Sequence, residues 1–108
     1  MKAKYFNFKH NISCQNHYIH KYTAKLIPSI PNYFIQKYSK INDIILDPFC
    51  GSGTTLLEAK LLSRNAIGLD INPLATLISE VKCNPLDLNE LSEAINSIKY
   101  RIKKNKND

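Results

Sequence analysis

The stretch at residues 47–55, DPFCGSGTT, decides how the middle of this 108-residue chain folds. The apolar residues 44–46 before it suit a short buried parallel strand. Gly51 and Gly53 then allow the backbone to turn tightly and to approach a ligand. Residues 54–62 have helical character. Strand, glycine turn and helix in this order are typical of a loop that binds a nucleotide-like cofactor.

An acidic residue follows the glycine loop at a characteristic distance. A second short strand is predicted over residues 66–69, and it ends at Asp70, which lies 23 positions after Asp47. In dinucleotide-binding folds an acid about 20 residues after the loop accepts hydrogen bonds from the ribose. Asn72 and Pro73 make a good cap and first residue for the next helix, so we expect Asp70 to be free to bind a ligand.

Other nucleotide-binding loops fit these residues less well. A P-loop requires a Gly-Lys-Ser/Thr ending, and no such lysine follows the glycines. A dinucleotide-binding dehydrogenase has a third glycine where Leu56 stands, and the Asp-Pro-Phe lead-in has no role in holding a pyrophosphate. The glycines could also serve only a tight turn, but the acid after the next strand favours cofactor binding.

The segment resembles motifs I and II of the S-adenosylmethionine-dependent amino-methyltransferases, in particular the DNA methylases that act on adenine N6 or cytosine N4. The family's DPFxGSGT string stands intact at residues 47–54, and Asp70 matches the motif II acid that binds the ribose hydroxyls. Residues 20–28, HKYTAKLIP, resemble motif X, with Lys21 and Thr23 in place of its two prolines. The resemblance covers residues 18–88 and identifies the chain as an N-terminal part of such an enzyme.

This resemblance implies that S-adenosylmethionine is the cofactor. Its amino-acid end needs a nearby carboxylate and room for the backbone to approach, which Asp47, Gly51 and Gly53 can supply, while Asp70 would accept both ribose hydroxyls. The other residues that the motifs assign to cofactor binding are Phe49, Cys50, Thr54, Ile71, Ala24 and Lys25. Phe49 and Ile71 could equally be core residues. Cys50 could be a nucleophile by position, but the family uses this site for cofactor packing.

The predicted fold class is α/β, a partial Rossmann-like methyltransferase fold with an incomplete parallel sheet and flanking helices. Only two strands are predicted, whereas a complete sheet of the resembled family has about seven, which leaves edges and faces uncovered. We predict one partial domain, with a basic aromatic arm at residues 1–22, a cofactor-binding core at 23–88, and a C-terminal helix and tail at 89–108.

Three helices besides the one after the glycine loop have recognisable apolar faces. Residues 28–38 place Ile30, Phe34, Ile35 and Tyr38 on one face, and the helix after Asp70 places Leu74, Ala75, Ile78 and Val81 on one face before Asn84-Pro85 ends it. The last helix starts at Asp87 and Glu90. Its stripe is Leu91, Ala94, Ile95, Ile98 and Ile102. Core packing is the default interpretation of this stripe, and an exposed face for a partner helix is the alternative.

The net charge of +6 arises at the N-terminal end. Residues 1–40 contain seven lysines and no acid, interleaved with aromatic and histidine side chains. That mixture suits contacts with phosphates and stacking on bases, so we expect DNA as a partner. A solvated basic arm, or aromatics that cap a core, fits the same residues equally well.

The sequence also limits where the protein works. No apolar run approaches the roughly 18 residues that span a bilayer, and the N-terminal end has no signal-peptide core. Three scattered cysteines form neither a disulfide framework nor a CxxC metal motif, which favours a cytoplasmic setting. His17 and His20 are three residues apart but have no neighbouring acid or cysteine, so no metal site is expected.

One signature of the resembled family is missing. Those enzymes carry an Asp/Asn/Ser-Pro-Pro-aromatic motif that accepts hydrogen bonds from the target amine and stacks on the flipped base. No Pro-Pro pair occurs in this sequence, so no catalytic residue is assigned. We therefore expect a cofactor-binding part whose catalytic motif and target recognition come from a second methyltransferase chain. Alternatives are an RNA guanine-N2 methyltransferase fragment and a degenerate or regulatory cofactor-binding module. A natural split, a truncated gene and a degenerate fragment all remain open.

Overall fold

A computed structural model of the chain describes residues 4–6, 17, 21–23 and 25–106. These contain three strands and four helices, in the order β1 (Lys4–Phe6), α1 (Ser29–Tyr38), β2 (Ile44–Asp47), α2 (Thr54–Leu61), β3 (Asn65–Gly68), α3 (Pro73–Cys83) and α4 (Leu88–Lys106). Both predicted strands and all four predicted helices are present, within one or two residues of their expected bounds, except that α4 continues to Lys106, four residues past the end of its predicted stripe at Ile102. Within the described residues, no helix is both long enough and apolar enough to cross a membrane.

The three strands form one mixed sheet in the order β1-β3-β2. β2 runs parallel to β3, with Ile44 opposite Asn65 and Asp47 opposite Gly68, and α2 forms the crossover between them. β1 pairs antiparallel with the other edge of β3. It lies in the basic arm, where no strand was predicted, because three residues are too few for an alternating pattern to be visible. The parallel pair is therefore extended by an antiparallel strand.

The core lies between the sheet and α2. Leu56, Leu57 and Ala59 of α2 are fully buried, together with Ala66 of β3, and Ile35 of α1 packs into the same cluster. The crossover helix thus covers one face of the parallel pair, as expected for a βαβ unit. This packing holds the carboxyl ends of β2 and β3 side by side, with the glycine loop above them.

The other face of the sheet is open in the described part of the chain. Ile44 and Leu46 are 57% and 61% exposed, whereas Ile45 between them packs against the core. The predicted buried strand is therefore buried on one face only, and its uncovered face is of the kind expected for an incomplete sheet. β2 is also an edge strand, since its only sheet neighbour among the described strands is β3. An exposed apolar sheet face and an unpaired strand edge of this kind are unusual on the surface of a complete domain.

The apolar faces predicted for α1 and α3 are only partly buried. Ile35 is buried in α1, but Ile30, Phe34 and Tyr38 are between 44% and 72% exposed. In α3, Ala75 and Ile78 are buried, while Leu74 and Val81 are each 51% exposed. α1 and α3 each pack mainly against α2 rather than on the sheet, so the outer part of each apolar face is not covered by the described residues.

α4 departs further from its prediction. Every residue of this 19-residue helix is exposed, including Leu91, Ile95, Ile98 and Ile102 of its apolar stripe. Core packing, the default interpretation of the stripe, is therefore wrong. The stripe is an exposed apolar face, as in the alternative interpretation. The start of the helix is as predicted, because the Asp87 carboxylate accepts hydrogen bonds from the N–H groups of Asn89 (2.8 Å) and Glu90 (3.1 Å).

Candidate cofactor site

The glycine loop connects the end of β2 to the start of α2. At its beginning, Asp47 Oδ1 accepts a hydrogen bond from the N–H of Phe49 at 3.1 Å, which folds the loop back over its own strand. Gly51 and Gly53 have φ values of 50° and 80°. That left-handed conformation is readily accessible only to glycine. The two glycines predicted to allow a tight turn therefore adopt the conformation that requires them.

Asp70 holds the glycine loop from the end of β3. Its Oδ2 accepts a hydrogen bond from Gly51 N–H at 2.9 Å, and its Oδ1 accepts one from Asn72 N–H at 2.8 Å. Asp70 thus accepts two backbone hydrogen bonds that were not predicted, while Asn72 caps α3 as expected by accepting from Leu74 N–H at 3.0 Å. Each carboxylate oxygen can accept a second hydrogen bond, so capacity for a ligand remains.

Tyr22 joins the motif X segment to both loops. Its hydroxyl accepts a hydrogen bond from Asn72 Nδ2 at 3.3 Å. Its ring lies beside Gly51, where an added Cβ would stand 3.9 Å from the ring carbon Cε1. The three motifs identified in the sequence therefore converge at one end of the sheet. Ala24, which motif X also assigns to the cofactor, lies outside the described residues.

A shallow cleft opens beside the glycine loop. Its volume is about 90 Å³, below the roughly 300 Å³ at which ligand pockets usually begin. Six of the predicted cofactor residues line it, namely Lys25, Asp47, Phe49, Cys50, Gly51 and Thr54, together with the unpredicted Leu26, Ser52 and Thr55. A cleft of this size can hold only part of a cofactor, so further walls are needed to enclose one.

Phe49 and Ile71 stand out from the surface near the two loops. They are 87% and 89% exposed, so neither is a core residue in this structure. Phe49 lines the cleft, whereas Ile71 does not. Exposed large apolar side chains beside polar loops usually mark a binding surface, so a ligand or a further wall of the pocket would cover these two.

Cys50 lines the cleft, but its side chain is largely buried. It is 7% exposed, and burial raises the pKa of its thiol. A cysteine nucleophile reacts as the thiolate, which this environment disfavours. The geometry agrees with the preference for a packing role over catalysis. Among the described residues, no three His, Cys, Asp or Glu side chains gather as metal ligands.

Two polar residues of α3 that the sequence analysis did not single out hold the loop from below. Ser79 Oγ donates to the carbonyl oxygen of Gly51 at 2.8 Å, and Lys82 Nζ donates to that of Ser52 at 2.9 Å. Both side chains are buried. They lie on the same inward-packing helix face as Ala75 and Ile78. Polar residues on such a face are a sequence pattern that could have predicted buried hydrogen bonds here.

A third cluster anchors the motif X side of the site to α2. Glu58 of α2 is buried, and its two carboxylate oxygens lie 2.6 Å from His17 Nε2 and 2.6 Å from Asn32 Nδ2. Lys25, at the cleft, donates from Nζ to the backbone carbonyl of His17. Burial lowers the pKa of His17, while the neighbouring Glu58 opposes that shift. The sequence suggested His17 only as part of the basic arm or as a metal ligand, whereas here it connects α2 with the segment that carries Lys25.

Lys82 should give the chain a measurable pH dependence of stability. Burial, with the nearby charge of Lys25, lowers the pKa of Lys82 from 10.5 to about 8. Between these values the unfolded chain binds more protons than the native one, so stability rises with pH. Relative to Lys82→Met, the wild-type free energy of unfolding should therefore increase by up to about 3 kcal/mol across this range.

Urea unfolding of both proteins at several pH values would measure this difference. The Cys83 thiol, whose pKa burial raises to about 12, favours the native state less as pH rises, but it is present in both proteins and largely cancels. Parallel pH profiles would show that Lys82 does not titrate in this range.

Comparison with known proteins gives a consistent set of matches. A model of the DNA methylase family matches residues 3–80. The type II methyltransferase M.MjaII of Methanocaldococcus jannaschii is 43% identical over 79 residues, which is 73% of this chain and 15% of that protein. The crystal structure of the M1.HpyAVI–SAM complex has 32% sequence identity and a TM-score of 0.56, covering 60% of this chain and 32% of that one.

A second solved structure matches a larger share of this chain. The PvuII DNA methyltransferase, described as cytosine-N4-specific, has 31% identity and a TM-score of 0.57 over 82% of this chain and 31% of that one. The predicted fold class, a partial Rossmann-like methyltransferase fold, is confirmed by these structures. This chain spans less than a third of the length of each protein compared.

Proposed function

Since this chain belongs to the DNA methylase family, we propose that it is the S-adenosylmethionine-binding part of a DNA methyltransferase acting on adenine N6 or cytosine N4. One observation carries the proposal. Tyr22, the glycine loop and Asp70 meet above the carboxyl ends of the two parallel strands. That edge of an open α/β sheet is where cofactors bind in such folds.

The residues present fit the cofactor's chemistry in three places. Asp47 places a carboxylate in the cleft, where it can accept a hydrogen bond from the amino group of the amino-acid end. Asp70 keeps acceptor capacity for the ribose hydroxyls, and the exposed Phe49 ring offers an apolar surface beside them. When bound, S-adenosylmethionine supplies an electrophilic methyl group on its sulfonium, and the role of these residues is to hold and orient it.

The target amine would be handled by a second polypeptide. This sequence contains no Pro-Pro-aromatic motif to accept the amine protons and stack on the flipped base. The open face of the sheet, with exposed Ile44 and Leu46, and the free edge of β2 adjoin the site. A methyltransferase chain that bears the missing motif would cover these surfaces and enclose the cofactor.

We infer that DNA is the substrate and the cytoplasm the setting. The N-terminal lysines and aromatics support contacts with phosphates and bases. Of residues 1–24, the structure describes only Lys4–Phe6, residue 17 and residues 21–23. A DNA methylase must work in the compartment that holds its DNA.

Replacing Asp70 with alanine should weaken S-adenosylmethionine binding by about 1 to 3 kcal/mol, the usual cost of losing a charge-assisted hydrogen bond. Calorimetric titration at high protein concentration would measure it, because the incomplete pocket predicts weak binding. Asp87→Ala is a control, since Asp87 caps α4 away from the cleft.

Ser79→Ala separates ligand contact from loop positioning. It removes a hydrogen bond to the same residue, Gly51, without removing any group proposed to touch the ribose. If Ser79→Ala weakened binding as much as Asp70→Ala, Asp70 would act through the loop. If Asp70→Ala bound the cofactor as tightly as the wild type, the ribose role would be wrong.

A further inference from the structure

We propose that α4 is a self-association surface, which pairs antiparallel with α4 of a second copy of this chain. The inference is independent of the cofactor site. Three observations carry it: the spacing of the apolar residues, their exposure, and the distribution of charge along the helix.

The large aliphatic residues of α4 follow a strict alternation of three and four positions. They are Leu88, Leu91, Ile95, Ile98 and Ile102, and the small Ala94 lies at the edge of this row. This is the a/d pattern by which two helices pack side chains into each other along a narrow seam. A helix that packs on a sheet or into a globular core usually has a broader apolar face. The pattern therefore favours another helix as the occupant.

Nothing in the described part of the chain covers this seam. The exposed fractions run from 39% for Leu91 to 77% for Leu88. A 19-residue helix extends about 28 Å and is marginal in water without tertiary contacts. The match to the family ends at residue 80, before α4 begins. The seam is therefore apolar surface that neither the described chain nor the matched family region accounts for.

The charge distribution along α4 favours a second copy of this helix as the partner and an antiparallel orientation of the pair. Residues 87–93 carry three acids and no base, and residues 99–106 carry five bases and no acid. The helix dipole accounts for such charges in the first and last turns, but not for Lys99 and Arg101, which lie further inside. In an antiparallel pair, the acidic end of each helix lies against the basic end of the other.

The same arrangement fits the apolar seam. If the two helices cross between Ile95 and Ile98, these two face each other across the pair, and Leu91 faces Ile102. Four apolar layers then form, with acidic and basic ends flanking them. A parallel pair would instead place five bases beside five bases, which costs free energy. One short helix per chain gives a small interface, so we expect a weak, concentration-dependent dimer.

Sedimentation of the full 108-residue chain without cofactor, from low to several hundred micromolar, tests the proposal. We expect a monomer–dimer equilibrium that Ile98→Asp weakens at least tenfold. Ser97→Asp is the matched control, because it adds the same charge one position earlier, outside the seam, and should leave the equilibrium nearly unchanged. No α4 side chain is buried in the body, so neither variant should alter its folding.

A second variant tests the direction. Lys99→Glu combined with Arg101→Glu should weaken an antiparallel dimer, because the basic end of each helix then loses most of its positive charge beside the acidic end of the other. The same variant would strengthen a parallel dimer by relieving repulsion between the basic ends. Stronger association of this variant would overturn the antiparallel pairing. A wild-type chain that stays monomeric at every concentration would overturn self-association. So would a seam that becomes protected from hydrogen exchange only when a second methyltransferase chain is added.

Discussion

Replacing Gly53 with alanine should destabilise the native chain by about 2 to 5 kcal/mol and abolish cofactor binding. Gly53 has φ of 80°, a conformation that costs an alanine about 1 to 2 kcal/mol. A Cβ there would also stand 2.9 Å from Ser79 Cβ and 3.0 Å from Ser79 Cα. Because those atoms belong to or adjoin the backbone of α3, the clash can be relieved only by moving the loop or the helix, at about 1 to 3 kcal/mol.

Gly51→Ala separates the steric clash with α3 from the strain of a left-handed backbone conformation. Gly51 also has a left-handed φ, of 50°, but a Cβ there would meet only the Tyr22 ring at 3.9 Å, an ordinary contact. It should therefore cost only the conformational strain, about 1 to 2 kcal/mol. Urea denaturation of both variants measures the difference as a shift of the midpoint. Equal losses would mean that α3 does not pack against the loop as closely as described.

The loop and its neighbours were predictable because their signals are local. Gly51 and Gly53 are needed at a turn between adjacent elements, and the Asn72 cap and the position of Asp70 follow from short runs of sequence. Local signals do not report long-range hydrogen bonds. The bonds from Ser79 and Lys82 to the loop join residues 28 and 30 positions apart, so no local pattern predicts them. The bond from Gly51 N–H to Asp70 is unpredictable for the same reason.

Burial was harder to predict than secondary structure. The periodicity of α4 correctly located its apolar stripe but could not say what covers it, and the structure leaves the stripe exposed. Likewise, the apolar run at residues 44–46 predicted a buried strand, but the strand lies at an edge with Ile44 and Leu46 exposed. An apolar run has the same composition whether its covering layer is in the same chain or in another. What covers these surfaces stays a prediction.

The largest expected effect is on activity: this chain alone should not methylate DNA, and activity should appear when a second polypeptide with a Pro-Pro-aromatic motif is added. Without that motif, no group accepts the protons of the target amine and no ring stacks on the flipped base, so the base is neither oriented nor activated. A tritiated-methyl transfer assay on unmethylated DNA would compare this chain, the candidate partner and the mixture. Gly53→Ala in the mixture is a control that should lose the gain.

The possible outcomes of this assay separate the candidate functions. Methyl incorporation by the purified 108-residue chain alone would contradict the need for a second polypeptide, because the chemistry would then need no residue outside this sequence. Inactive mixtures despite measurable cofactor binding would favour a regulatory or degenerate module. Labelling of tRNA but not DNA would indicate an RNA methyltransferase. If instead the mixture methylates DNA and Asp70→Ala raises the apparent KM for S-adenosylmethionine, then this chain holds the methyl donor and its partner presents the amine.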